Sequence, residues 1–452
     1  MRRRVATVLF SLALGLLPAA GAAVGGWADA FAPPPGGQGL DDRIDALCLW
    51  NDEIHAGGQF ILAGQDSAWG IARWDSAGWR NLAGGMNGRV SALAVWRDEL
   101  VAGGLFTSAG GTPVRYVAAW DGAGWRPLGD PAAWAWSDVL ALCVQDTVLW
   151  AAGSGFVVRF DGSGWQAVTG VGFGGDVFAL ASFGGELVAG GAFTSISDPS
   201  GTTVAASRIA AWDGTAWRPL GGGADGTVYA LSVWNGQLVA GGVFSSPAPI
   251  VAAWNGTGWF GLGDGLDGTA VVALAPWGNR LVCGGDFTGS GTTALRRIAL
   301  FDGTGWSPLD GGVNGLVRAV LGSGAAVWAG GDFTWADTLA SSHVGRWDDP
   351  LSAAPDGAPP APVLLGDPYP NPFNPRVAIP VTVLRPGAVA LTVHDLAGRL
   401  VRTLWRGELP AGTRVLEWDG RDGSGQEVAG GVYVFRLDAA TTSDRRSVVL
   451  VR

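Results

Sequence analysis

Lysine is absent from the 452 residues, so all 29 basic side chains are arginine. That removes the P-loop lysine, the Schiff-base lysine and the Ser-Lys dyad from the available chemistry. Histidine is scarce, with only His55, His343 and His394, and there is no H-E-x-x-H, C-x-x-C or G-x-S-x-G. Zincin sites, thiol redox pairs and the hydrolase nucleophile elbow therefore have no representative, and neither does a D-x-D-x-D-G calcium loop. The cysteines are three, and Cys48 and Cys143 occupy matching positions in apolar runs. They read as small core hydrophobes, not as a disulfide framework. Charged residues make up 15% of the chain and the formal net charge is -10, which leaves no cationic cluster to displace counterions from nucleic acid. No stretch after the N-terminus approaches the roughly 18 apolar residues of a membrane helix. No cofactor and no metal are expected.

What the sequence does contain begins with a leader. Residues 1–23 run from Arg2, Arg3 and Arg4 through "VATVLFSLALGLL" to a small-residue "AGA", the grammar of a secretory signal peptide, so the chain reads as exported. The 75 glycines lack the triplet period of collagen and point instead to many tight turns in an all-β chain.

Internal repetition accounts for those turns. An aromatic-Asp pair, Asn once, falls at Trp74, Trp120, Phe160, Trp212, Trp254, Phe301 and Trp347, spaced 40 to 52 residues apart. A "VAGGxF" marker runs in phase with it, as "HAGGQF" at 55, "VAGGLF" at 101, "AAGSGF" at 151, "VAGGAF" at 188, "VAGGVF" at 239, "VCGGDF" at 282 and "WAGGDF" at 328. A third marker precedes each: "IDAL", "VSAL", "VLAL", "VFAL", "VYAL", "VVAL" and "VRAV". Each unit reads as four short strands, "VxALxVW", "LVAGGxF", "xIAxW" and "GWxxL". A four-stranded repeat of this length predicts a seven-bladed β-propeller over residues 24–353. The seventh unit lacks its "GWxxL" strand, while a spare "GGWADAF" stands at 25–31; Trp27 is therefore expected to complete the last blade and spare the ring an open sheet edge.

The Asp of "WDGxGW", Asp121 and its equivalents, recurs in every unit and reads as a turn residue. "GVGFGG" at 170, "GGGADG" at 221 and "GDGLDG" at 263 match G-x-G-x-x-G but sit in loops between units, without the following helix a dinucleotide needs. Functional positions should be those that vary between units. The loop after the second strand varies most: from its Phe to the aromatic-Asp pair it spans 14 residues in four units, 4 after Phe156, 10 after Phe244 and 19 after Phe193. Binding is expected on that face. Candidate ligand contacts are Arg115, Arg208, Arg297 and His343 ahead of their aromatic-Asp pairs, Trp335 in the last such loop, and Asp286 and Asp332, which replace the neutral residue after "GG". No catalytic residue is named.

The Pro/Ala-rich "APDGAPPAPVLLGDP", 354–368, reads as a linker, and residues 369–452 as a small antiparallel sandwich. Its "YPNPFNP", "VHDLAGRLVRTL", "WDGRDGSGQEVAGGVYVFRL" and "RRSVVLVR" resemble the flagellar-hook-capping-type Ig-like domain and the C-terminal sorting domains of bacterial secreted proteins, with His394 where the pattern has Tyr. The resemblance implies export with surface attachment or release, with the secretion or attachment machinery as a partner. The repeats resemble those of bacterial secreted propellers and, more loosely, of fungal cortical cell-polarity markers and kelch propellers, which implies a scaffold and no particular activity.

The expectation is a non-enzymatic, exported β-propeller, extracellular or at the cell surface, that presents its variable loops to an extracellular glycan or protein. Two other functions fit the same residues: an extracellular carboxylate-dependent glycan hydrolase or lyase using Asp286 and Asp332, and a structural surface-layer component.

Overall fold

The computed structural model describes residues 26–28, 31–33, 37–75, 78–130, 137–168, 172–197, 202–349, 363–366, 368–383, 387–395, 399–409, 412–439 and 443–451. The leader, residues 1–23, lies outside them. No helix occurs among the described residues, and the chain is all β.

Seven antiparallel sheets follow one another, one per sequence unit, each with a path of four strands. In sheet 1 these are Ile44–Trp50, Glu53–Gly58, Ile71–Trp74 and Trp79–Asn81. The later first strands are Arg89–Trp96, Val139–Gln145, Val177–Phe183, Thr227–Trp234, Asp267–Trp277 and Val317–Ser323. Consecutive first strands lie against one another, and that of sheet 7 lies against that of sheet 1.

A sheet with two apolar faces must cover both, and each does so with its neighbours. The buried side chains therefore fall into clusters between adjacent sheets. Trp50 and Ile71 of sheet 1 pack with Val90, Leu100 and Ala102 of sheet 2. Val327, Trp347 and Phe333 of sheet 7 pack with Val282 and Leu300 of sheet 6. Trp328 and Val344 of sheet 7 pack with Ile44 and Ile54 of sheet 1.

The outer strand of sheet 7 comes from the other end of the chain. Gly26–Trp27 pairs antiparallel with Val344–Asp348, with Trp27 opposite Trp347. The Trp27 indole donates to the Leu309 carbonyl of sheet 6 at 3.0 Å. Trp306, Trp259 and Trp125 make the same bond to Leu262, Leu220 and Leu82 of the sheets before theirs. Trp27 thus fills the outer-strand position of its sheet in packing and in hydrogen bonding.

The turn aspartates behave as turn chemistry requires. Asp121 Oδ1 accepts from the Ala123 and Gly124 amides, and those bonds hold its carboxyl below the usual range. Burial pushes the Cys48 thiol up to about 12 and Cys143 up to about 11, so neither is a reactive thiolate.

The C-terminal sandwich has a three-stranded and a four-stranded sheet around Phe373, Ile379, Leu391, Trp418 and Phe435. It reaches further back than composition indicates. Val363–Leu365, within the stretch read as a linker, pairs with Val381–Val383, and Leu365 is buried in the core. Three apolar residues beside one sheet edge outweigh a Pro/Ala-rich context.

His55 is fully buried where other units carry mostly Val. Its Nδ1 lies 3.1 Å from the Glu53 carbonyl and its ring sits edge-on to Trp50. Desolvation lowers its pKa to about 4. The fold therefore favours the neutral ring, a contribution complete above the unfolded value near 6.5 and lost as pH falls toward 4. At about 1.4 kcal/mol per unit this amounts to at most about 3 kcal/mol. Urea unfolding at pH 7 and pH 4.5 should show His55→Val losing less stability on acidification than the parent; parallel losses would contradict this origin.

Candidate functional site

The pairing of first and second strands slips at the same place in every sheet. In sheet 1, Ile44 faces Gly58 and Ala46 faces Gly57, leaving Asp45 as an extra residue. The same bulge leaves Ser91, Leu140, Phe178, Tyr229, Val272 and Arg318 in sheets 2 to 7. A bulge re-aims the side chain it carries. All seven residues are half-buried between two buried neighbours, and all seven line one cavity of about 730 Å³. Beneath it a narrower space of about 210 Å³ is enclosed by all seven first strands. The cavity is therefore the mouth of the central channel. It lies at the end where the loops after the second and fourth strands open, because first strands begin and second strands finish there.

Its wall is divided. Leu140, Phe178, Tyr229 and Val272, from sheets 3 to 6, form an apolar arc in which the Phe178 and Tyr229 rings stand 5.2 Å apart. Arg318, Asp45 and Ser91, from sheets 7, 1 and 2, form a polar arc. Ion pairs stand on the polar side and at both ends of the apolar arc. Arg43 lies 3.4 Å from Asp45, Arg318 2.8 Å from Asp332, Arg297 3.2 Å from Asp286 and Arg89 3.7 Å from Asp138.

Desolvation raises the pKa of Asp45, against the lowering effect of Arg43, Arg318 and Arg89; Asp332 adds to the rise. For Arg318, burial works to lower the pKa but is outweighed by the bond and charge of Asp332 and the charge of Asp45, so its value is raised.

The residues expected from sequence divide between this mouth and its surroundings. Asp286 and Arg297 line the cavity, bonded to each other, and Thr269 Oγ1 donates to Asp286 Oδ2 at 2.8 Å. Asp332 reaches the mouth through Arg318. Arg208, Arg297 and His343 share a backbone duty that explains their common spacing. Each has a left-handed φ of 63° to 65° and donates its amide to the Phe that opens its loop. In sheet 2 that duty falls to Tyr116, so Arg115 is not their equivalent. Arg208 Nη1 donates to the Ala224 carbonyl, and His343 Nδ1 lies 3.1 Å from the Gly331 carbonyl. Arg115 is exposed, its guanidinium 5.7 Å from the Tyr116 ring. Trp335 is 48% exposed on a short hairpin. These four do not line the cavity.

All seven bulge positions carry cavity residues that loop variation could not reveal: Asp45, Ser91, Leu140, Phe178, Tyr229, Val272 and Arg318. The signal was present in the third marker, whose second letter changes from unit to unit while its neighbours hold. Among the described residues no group of three or more His, Cys, Asp or Glu could hold a metal ion.

Residues 381–443 match the FlgD Ig-like domain model. No curated protein matches the chain. Among solved structures, PorZ, described as an essential bacterial surface component of the type-IX secretion system of Porphyromonas gingivalis, is similar at 16% identity and a TM-score of 0.40. That similarity covers 93% of this chain, which spans 61% of the PorZ chain. The extracellular domain of the putative hybrid two component system BT4673 from B. thetaiotaomicron is similar at 10% identity and a TM-score of 0.28, over 90% of this chain and 69% of that one. The computationally designed Ika4 protein is similar at 21% identity and a TM-score of 0.28, over 38% of this chain and 92% of that one. No helix among the described residues is long and apolar enough to cross a membrane.

Asp45 should titrate above the ordinary carboxylate range in a carbon-detected NMR experiment. Arg43→Gln should raise it further and Asp332→Asn should lower it; a midpoint indifferent to both would mean that these charges do not face it.

Proposed function

We propose that the seven sheets form a closed seven-bladed β-propeller, exported from a bacterial cell, that binds an extracellular glycan or protein at the mouth of its channel without transforming it. The Ig-like domain serves as its sorting or anchoring module. The observation that carries this reading is the ring of seven bulges. A scaffold that repeats its core residues sheet after sheet places a different half-buried side chain on the axis each time: Asp, Ser, Leu, Phe, Tyr, Val and Arg. A concave site of this volume, with an apolar arc facing converging polar groups, has the form of a small-ligand pocket.

One observation favours a hydrolytic reading. An acid/base pair needs a carboxylic acid whose pKa is raised, and Asp45 has one, raised by burial with a smaller contribution from the charge of Asp332. Asp286 and Asp332 themselves are each held by an arginine.

A glycan and matrix-protein array probed with the full chain tests the reading. Specific binding that Tyr229→Ala and Arg318→Ala reduce at least tenfold is the expected result. Binding that both folded variants retain would contradict a ligand site at the mouth. A signal that fades as its glycan is cleaved, and persists with Asp45→Asn, would establish the hydrolytic reading.

A further inference from the structure

Among the described residues, three buried polar atoms without a hydrogen-bond partner belong to side chains that line the mouth, all on one side of it. They are Asp45 Oδ2, Arg89 Nε and Ser91 Oγ, from sheets 1 and 2; behind them Arg43 Nε, without a hydrogen bond, lies 3.4 Å from Asp45 Oδ1. Such groups cost free energy unless something satisfies them, and their concentration at a cavity wall points to a ligand. They include donors, an acceptor and a hydroxyl that can do both, so the complement must donate and accept within a short span.

Charge restricts the class further. The guanidinium groups of Arg43, Arg89, Arg297 and Arg318 each have a carboxylate partner, respectively Asp45, Asp138, Asp286 and Asp332. A charged ligand would have to break one of these pairs and leave its partner uncompensated in a partly desolvated site. A neutral ligand need not. Across the cavity the Phe178 and Tyr229 rings supply an apolar surface.

Resting on the reading of the mouth as a binding site, we propose that its ligand is the neutral terminal sugar of a glycan chain. A pyranose has an edge of hydroxyls, each both donor and acceptor, and a face of C–H groups that packs on aromatic rings. The hydroxyl edge meets Asp45, Arg89 and Ser91, and the C–H face meets Phe178 and Tyr229. The chain behind it leaves past the loops of sheets 7 and 1, where Trp335 and Trp69 are each 48% exposed at the same end of the channel.

The test uses the full chain and isothermal titration with three probe sets. These are neutral oligosaccharides of glucose, galactose, mannose and xylose; the corresponding uronic-acid and amino-sugar oligosaccharides; and a library of uncharged peptides. The variants are Tyr229→Ala, Asp45→Asn and Ser91→Ala, each checked for an unchanged far-ultraviolet spectrum; Ser91→Ala removes one hydroxyl and keeps the site informative if a larger change disturbs folding. The expected result is that a neutral oligosaccharide binds, that each variant weakens it at least fivefold, and that the charged counterparts bind at least tenfold more weakly. Charged sugars binding equally well or better, with the same variants weakening them, would overturn the neutral-sugar assignment and leave the mouth as a binding site. Peptides binding in place of sugars with that sensitivity would do the same. No binding by any probe, or binding indifferent to all three variants, would overturn both the assignment and the reading on which it rests.

Discussion

The distance between the second strand of one sheet and the first strand of the next governs the rest of the molecule. A Cβ on Gly57 would lie 2.6 Å from Val90 Cγ1 of the following sheet, and one on Gly330 would lie 2.5 Å from Ile44 Cγ2. Both separations are far inside van der Waals contact. The first glycine of the "GG" marker is therefore the hole into which the Val or Ile of the neighbouring "VxAL" fits. The second glycine answers to its own sheet: a Cβ on Gly58 would be 2.1 Å from the Arg43 carbonyl, beside the bulge. One dipeptide thus permits the approach between sheets and the bulge within a sheet. The bulge in turn sets the residue at the channel mouth.

Tryptophan ties the sheets at two other levels. At the far end of the first strands, Trp50, Trp96, Trp234 and Trp277 donate to carbonyls in the first turn of the next sheet, those of Asp98, Thr147, Asn279 and Gly324. At the perimeter the outer-strand indoles of Trp27, Trp125, Trp165, Trp259 and Trp306 reach back to a leucine carbonyl of the preceding sheet. A tryptophan so bonded buries a large ring and satisfies its N–H, so rigidity is compatible with a lysine-free, glycine-rich composition. With packing and hydrogen bonds repeated sheet by sheet, the residue that points into the mouth is free to differ.

The sequence made the architecture legible because scaffold demands recur. Three markers in phase give seven four-stranded units, and the spare tryptophan near the N-terminus supplies the strand missing from the seventh. The candidate site was only partly legible, for a physical reason. Loop length shows where a chain tolerates insertion, whereas this cavity is built by residues that change identity without changing spacing. Asp286 and Asp332 stood out as departures from the repeat and reach the mouth, as does Arg297, which stood out by its spacing. Arg208 and His343 stood out by spacing alone, and that spacing reflects a left-handed backbone position. Phe178 and Tyr229 looked like ordinary strand hydrophobes, since a bulge cannot be seen in a strand of regular apolar pattern. The start of the sandwich at Val363 was hidden by the prolines around it.

The central claim is that close packing of a bare glycine against the next sheet's branched side chain, present at every junction except that of sheets 3 and 4, where Ala152 takes the place, also holds at the junction of sheets 7 and 1. A double-mutant cycle of Gly330→Ala and Ile44→Ala, read by urea unfolding, tests it. Gly330→Ala should destabilise strongly in the parent and far less once Ile44 is shortened, giving a coupling on the order of 1 to 3 kcal/mol. Additive effects would mean that the two residues do not meet and that the ring is not closed at this junction.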